Sequence, residues 1–412
     1  MQENLGSLQI QVNDTSIGRP IPNAKVIIKN EENNTIEELI TDSSGQTPVI
    51  NLPAPDINFS LEQQNNSTRP YSIYNIQASY PDYNSKNIIG TQILANNLAI
   101  QEINLERKDT PNPENNNIII KPNTLWGEYE PKIPENPTKP LNFPSGEVVL
   151  NKIVIPEYIV VHDGVPSDKS AKNYYILFKD YIKNVACSEI YSTWPDATLR
   201  ANVLAIISFV LNRVYTEWYR NKGYDFTITS STAYDCAFFY GRNIYKSISI
   251  IVDEMFNTYI TKFGIRQPLL AQYCDGKKVS CPNWLSQWGS KYLGDQGYNA
   301  VNILRRYYGQ DIYLDQAQKV SGIPLSFPGT TLQVGSRGDN VRTIQSQLTA
   351  INKNYPAIPK LKVDGIFGNQ TRQAVQTFQN VFYLPATGLV DFKTWYKISN
   401  IYVAVQKLAE LV

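Results

Sequence analysis

Apolar residues alternate with polar ones through the first hundred positions. Leu8, Ile10 and Val12 stand at every second place, Val26 and Ile28 repeat the period, and the stretches GRPIPNA and TDSSGQT separate the runs. A period of two broken by turn residues predicts short strands with one apolar face each, so residues 1–106 read as a small all-β sandwich. Further along the period lengthens. Phe178, Tyr181, Ile182 and Val185 fall at i, i+3, i+4 and i+7, which predicts an amphipathic helix, and Glu189 continues that stripe one turn on. Neither Pro195 nor Trp194 before it extends a helix comfortably, so SEIYSTWP is a helix end opening into a loop. A second helix is expected from about Pro195 to Tyr219. Its broad apolar surface, from Leu199 through Leu204, Ile207 and Leu211 to Val214, marks it as a core helix. Another amphipathic helix is expected through Ile244, Ile248, Ile251, Met255 and Tyr259, and a later one closes at Gly309. From about Gly322 the pattern gives three short helices joined by Gly-rich turns, the first carrying Val341, Ile344, Leu348 and Ile351 on one face.

Composition adds boundaries. A chain of 412 residues is too long for one ordinary core and implies several domains. Between Arg107 and Glu147 lie eight of its 25 prolines, with an Asn run and no lasting periodicity, which reads as an exposed linker open to proteolysis. The expected division is therefore 1–106 sandwich, 107–149 Pro-rich linker, 150–321 mixed α+β domain and 322–412 small all-α domain. A net charge of +1 with 18% charged residues gives no footprint for nucleic acid. The opening MQENLGSLQIQV lacks the pattern of a secretory signal, and the apolar runs elsewhere are too short to imply a membrane span, so a soluble protein is expected.

The candidate chemistry centres on Glu189. A carboxyl group on a buried helix face is disfavoured as an anion, so its pKa is expected to rise and the group to hold a proton near neutral pH, as a general acid must. The same placement fits a structural glutamate paired with Arg200 or Arg213, and periodicity leaves both open. His162, the single histidine, rules out a multi-histidine zinc site and reads as a structural hydrogen-bonding residue. Cys187, Cys236, Cys274 and Cys281 are too few for a disulfide scaffold in a chain this long.

Three resemblances sharpen this reading. The C-terminal segments VGSRGDNVRTIQSQL, VDGIFGNQTRQAVQTFQ and ATGLVDFKTWYKI resemble the peptidoglycan-binding domain of bacterial wall hydrolases, departing from it at Phe382 and Tyr383, where the family often has a glycine. The N-terminal pattern resembles the transthyretin-type β-sandwich, which carries no chemistry of its own. In the middle, YIKNVACSEIYSTWPDATLRA, then Ser286-Gln287-Trp288-Gly289 and GYNAVNILRRYYGQDIYL, resemble the lytic transglycosylase domain of stage II sporulation protein D. That resemblance assigns the catalytic glutamate to Glu189. Thr229, Ser230, Ser231, Thr232, Tyr234, Gln287 and Trp288 are the expected substrate contacts, and Asp295 and Asp253 the acids to watch for a second catalytic role. Where the family has a His before a Ser- or Cys-rich loop, this chain has Gln272, Tyr273 and Cys274. Free thiols or one disulfide between Cys274 and Cys281 are therefore expected in place of a metal, and no cofactor.

As a whole the chain resembles the germination-specific spore-cortex-lytic enzymes of clostridia. The resemblance implies a zymogen in the spore, outside its core, whose partners are cortex peptidoglycan and an activating subtilisin-like protease, with no nucleic acid or membrane. It places the cut near Val148 and Val149. It implies cleavage between N-acetylmuramic acid and N-acetylglucosamine with a 1,6-anhydro product, for which one carboxyl group suffices. A water-using muramidase and a non-catalytic cortex-binding scaffold are the alternatives.

Overall fold

The computed structural model describes residues 4–15, 19–62, 68–110, 115–139, 153–156, 158–219, 222–319, 331–382 and 384–405. The chain divides into two compact units. The first comprises Met1–Pro140, Ile159–Val214 and Trp218–Ala317; the second comprises Leu141–Tyr158, Tyr215–Glu217 and Gln318–Val412. Val148 and Val149, the expected processing site, lie outside the described residues.

In the first unit, β1 (Leu5–Asp14), β2 (Lys25–Lys29), β3 (Thr35–Ile40), β4 (Ile50–Pro53), β5 (Ser72–Ser79), β6 (Lys86–Ile93) and β7 (Leu98–Leu105) build two sheets, with the short helix α1 (Asn58–Leu61) after β4. The alternation does what it predicts. Leu8, Ile10 and Val12 from one sheet and Val26, Ile28, Ile76 and Ile88 from the other are buried, while intervening positions keep some exposure.

Each sheet gains an edge strand from beyond the expected sandwich. β8 (Asn117–Ile119), in the Pro-rich stretch, lies parallel to β6 with Ile88 opposite Ile118. The second unit holds β9 (Val154–Ile155). The central region of the first unit contains β10 (Tyr158–His162), β11 (Asn173–Leu177), α2 (Phe178–Glu189), α3 (Asp196–Tyr215), β12 (Ile228–Thr229), β13 (Ile244–Tyr245), α4 (Lys246–Met255), β14 (Thr258–Lys262), β15 (Tyr273–Cys274), β16 (Leu285–Ser286), α5 (Gln287–Asp295), α6 (Ala300–Tyr308) and β17 (Ile312–Gln316). Here β13 pairs antiparallel with β7, Tyr245 opposite Ala99, and completes the sheet order β13-β7-β1-β4. The helix expected through Ile244–Tyr259 is thus confined to Lys246–Met255. Ile244 is drawn into the sandwich edge and Tyr259 into β14, because pairing with an existing strand satisfies backbone groups that a longer helix would leave at its ends.

Residues 117–139, expected as part of an exposed linker, are built into this unit. Gly241 has φ +79° and approaches β8 so closely that a Cβ there would stand 2.5 Å from Ile118 Cγ2. Among the described residues, α3 has the length and hydropathy of a membrane span, but 89% of its most apolar window is buried, as in a core helix.

In the second unit β18 (Gln318–Lys319) runs parallel to β9. Three helices follow, α7 (Asp339–Ile351), α8 (Asn369–Val381) and α9 (Phe392–Val405). Val341, Ile344, Leu348, Ile351, Phe367, Val375, Phe378 and Trp395 form their core. Two helix glutamines bind the intervening turns in the same way. Gln345 Nε2 donates to Asp364 Oδ1, Ile366 O and Thr371 Oγ1 while its Oε1 accepts from Gly365 N. Gln379 Nε2 donates to Thr387 Oγ1, Leu389 O and Thr394 Oγ1 while its Oε1 accepts from Gly388 N. Gly365 and Gly388 both have positive φ, so the DG and TG signatures are one device used twice.

Candidate active site

Glu189 is the last residue of α2, and the chain turns extended at Ile190. Phe178, Tyr181, Ile182 and Val185 are buried as their spacing predicts, which carries the Glu189 side chain inward until the residue is only 4% exposed. The bend after it is fixed by Trp194 N donating to Tyr191 O and Trp194 Nε1 to Ser60 O in α1.

Three donors converge on the Glu189 carboxyl group. Its Oε1 accepts from Ala237 N at 2.7 Å and from Tyr273 Oη at 2.9 Å. Its Oε2 accepts from Gln287 Nε2 at 3.3 Å, and the same nitrogen donates to Glu189 O. Each donor is held by its own element. Asn184, one turn back on α2, exchanges two hydrogen bonds with the backbone of Phe239 and so fixes the segment carrying Ala237. Tyr273 lies on β15 and Gln287 opens α5 directly after β16, and the two are brought side by side because β15 and β16 pair in parallel with Tyr273 opposite Leu285. Burial pushes the Glu189 pKa up, opposed in order by the charge of Lys132 and by the Ala237, Tyr273 and Gln287 donors. The carboxyl group is therefore able to hold a proton and is equipped to stabilise the anion once the proton leaves.

A cleft of about 310 Å³ opens onto this group, lined by Glu189, Thr232, Tyr273, Cys274, Asp275, Lys278, Val279 and Gln287 on one side and by Thr124 and residues 127–132 of the Pro-rich segment on the other. Cys274 and Cys281 form a disulfide with Cα atoms 5.7 Å apart, closing the loop at its rim.

Of the residues expected at the site, the structure brings Glu189, Thr232 and Gln287 together in the lining of this cleft. It places the other expected contacts elsewhere. Thr229 is fully buried and donates through both N and Oγ1 to Asp235 Oδ2. Ser230 Oγ donates to Asp163, and Ser231 O accepts from the backbone of Tyr234 and Asp235 in a turn. The Tyr234 side chain is exposed, while its carbonyl accepts from Arg213. Trp288 packs with its ring 5.0 Å from Trp194. These five are absent from the cleft's lining: the buried Asp235 carboxylate draws Thr229 to it, Asp163 holds Ser230, and Trp288 on α5 packs against Trp194.

Neither arginine considered as a structural partner for Glu189 reaches it. Arg200 pairs with Asp196 and Glu254 on the surface, and Arg213 with Asp235 and Glu135 in the interior. The two acids considered for a second role are surface ion-pair members: Asp295 with Lys291, and Asp253 with Lys179 and Lys183. The acid that does line the cleft within the central region is Asp275, whose oxygens accept from Lys278 N and Val279 N. His162 stacks on Phe226 with its Nδ1 against Asn173 Oδ1, a core role.

Reasoning from sequence missed Tyr273, Ala237 and Lys132. They lie 84, 48 and 57 positions from Glu189, and no periodicity reaches across such gaps.

Comparison with known proteins adds one family and several partial likenesses. Residues 337–398 match the family described as "Putative peptidoglycan binding domain". No curated protein matches the chain. Among solved structures, the N-terminal domain of SleB is 34% identical over 18% of this chain and 93% of its own, with a TM-score of 0.16. Sea bream transthyretin is 12% identical over 25% of this chain and 98% of its own, TM-score 0.14. The 5-hydroxyisourate hydrolase of Klebsiella pneumoniae is 15% identical over 24% and 89%, TM-score 0.16. In sequence family, the C-terminal segment 337–398, with its two glutamine-held turns, is thus similar to peptidoglycan-binding domains.

Proposed function

We propose that this protein is a peptidoglycan lytic transglycosylase in which Glu189 is the only catalytic carboxyl group. The observation that carries the reading is the Glu189 site itself: a buried carboxyl group whose pKa burial raises, with three convergent donors, open to a cleft, in a chain that also bears a peptidoglycan-binding module. Glu189 gives its proton to the glycosidic oxygen linking N-acetylmuramic acid to N-acetylglucosamine as the bond from that oxygen to the muramoyl C1 breaks. Ala237 N–H, Tyr273 and Gln287 then stabilise the carboxylate. That carboxylate takes the proton of the muramoyl C6 hydroxyl while O6 bonds to C1, which closes the 1,6-anhydro ring and restores the acid. No second carboxylate and no positioned water are required.

By its resemblance the substrate is spore-cortex peptidoglycan, and the chain is a germination zymogen of the SleC kind. A subtilisin-like protease would activate it near Val148 and Val149. A muramidase is the second reading, favoured by Asp275 in the cleft, although both its oxygens are occupied as loop caps. The products separate the two: anhydromuramic ends support the transglycosylase, and reducing muramic ends the muramidase. A Glu189→Gln protein that still releases cortex fragments would remove the assignment, and one that binds cortex without cleaving would support it over a silent scaffold.

A further inference from the structure

The strongest unassigned feature is a lysine from outside the central region, seated beside Glu189. Lys132 is buried, and its Nζ donates to the carbonyl oxygens of Asp235 and, at 3.3 Å, of Thr232. The same ammonium lies 5.1 Å from the ring centre of Phe209 and 4.9 Å from that of Tyr273, the tyrosine that donates to Glu189. Carbonyl oxygens and aromatic faces converging near a carboxyl group make a receptor for positive charge. A neutral sugar in its ground state has no use for such a receptor, whereas the oxocarbenium-like transition state of glycosidic cleavage carries its positive charge at this place, next to the catalytic acid.

We propose that in the uncut chain Lys132 is an internal stand-in for the glycosyl cation, and that its seat, which meets the cleft at Thr232 and Tyr273, marks the subsite for the cleaved muramoyl ring. This inference rests on the transglycosylase reading and adds to it a residue-level cause of latency. The segment bearing Lys132 is anchored along its length. Thr124 N donates to Ser188 O at 2.9 Å, and Asn123 Nδ2 to Cys187 O at 3.2 Å. Lys278 Nζ donates to the Trp126 and Gly127 carbonyls, and Thr232 Oγ1 to Glu130 O. Beyond Lys132, Glu135 binds Arg213, and the Lys139 backbone exchanges two hydrogen bonds with Gln267. A cut at the expected site, a few residues further on, makes this stretch a chain end. Detachment from that end frees Lys139, then Glu135, then Lys132.

The test uses full-length uncut protein and two variants. Lys132→Met removes the charge. Lys132→Gln removes it while keeping N–H donors for the two carbonyls, which protects the fold. The probe is a piperidine iminosugar of N-acetylglucosamine configuration, cationic at neutral pH, titrated by calorimetry. The expected result is binding at least ten-fold tighter to either folded variant than to wild type, with a matching rise in cortex-fragment release by the uncut chain that Glu189→Gln abolishes. Should both variants bind the iminosugar no better than wild type while the cut wild-type protein releases fragments in a Glu189-dependent way, the stand-in proposal is overturned and the transglycosylase survives. Tighter iminosugar binding by a protein that releases no fragments in any form would uphold the cation subsite and overturn the enzymatic reading.

Discussion

Glu189 shows how far a single residue could be read in advance. Its place on the apolar stripe of α2 foretold burial and a raised pKa, because a helix period of 3.6 fixes which face a side chain joins. Two of its three donors were not legible, since Tyr273 and Ala237 arrive through contacts that no local pattern encodes. Two predictions follow from this geometry. A carboxyl group whose pKa is higher folded than unfolded binds its proton more tightly in the fold. It therefore costs no stability below its ordinary value of 4.5 and costs progressively more as pH rises toward the folded value. Glu189→Gln should accordingly melt above wild type at pH 7, with the gap closing toward pH 4. Melting curves at both values check the sign. Tyr273 donates to the carboxylate and so favours the ionised form. Tyr273→Phe should raise the Glu189 pKa further, shifting the alkaline limb of the kcat profile upward, and should lower kcat roughly ten- to hundred-fold through the lost anion stabilisation. An unchanged pH profile would mean that Tyr273 only packs.

At the scale of elements, long periodic stretches were legible and short paired ones were not. Helices α2, α3 and α7 to α9 emerged from spacing alone, whereas β13 and β8 were hidden inside a helical pattern and a Pro-rich run. Two- and three-residue strands owe their existence to the partner edge they join, so their own residues carry little signal. The C-terminal signatures were legible as motifs, and the structure supplies their cause: Gln345 and Gln379 each satisfy a Gly turn and a neighbouring hydroxyl from inside a helix. Gln345→Ala would orphan the buried Gly365 amide and Thr371, costing about 2–3 kcal/mol. Urea unfolding of the variant should show a lower midpoint with an unchanged slope.

Across the whole molecule, the expected boundary between a removable N-terminal region and a free-standing catalytic domain is where sequence and structure part most. Composition marks residues 107–149 as a linker, and among its described residues the regular element is the three-residue strand β8. Yet Asn123, Lys132, Glu135 and Lys139 are each bound to the central region, which a composition count cannot register. The Arg213 side chain is fully buried between Asp235 and Glu135, so losing Glu135 removes a partner of an interior charge at a cost of roughly 3–5 kcal/mol. The edge of β13 would also lose β7. A chain started near Val149 and expressed without residues 1–139 is therefore expected to aggregate or melt far below the full-length protein. The same cut made after folding should leave a soluble product. Size-exclusion chromatography and melting of the two preparations compare them directly; equal solubility and melting temperature would show that the N-terminal region adds nothing to folding.

Bond cleavage by Glu189 is the step on which the proposed activity depends. Mass spectrometry of fragments released from cortex peptidoglycan by the cut protein and by its Glu189→Gln form reads it directly. The expected spectrum shows muramic ends lighter by one water than reducing ends, present with Glu189 and missing with Gln. Reducing ends from the wild type, or undiminished release by Glu189→Gln, would contradict it.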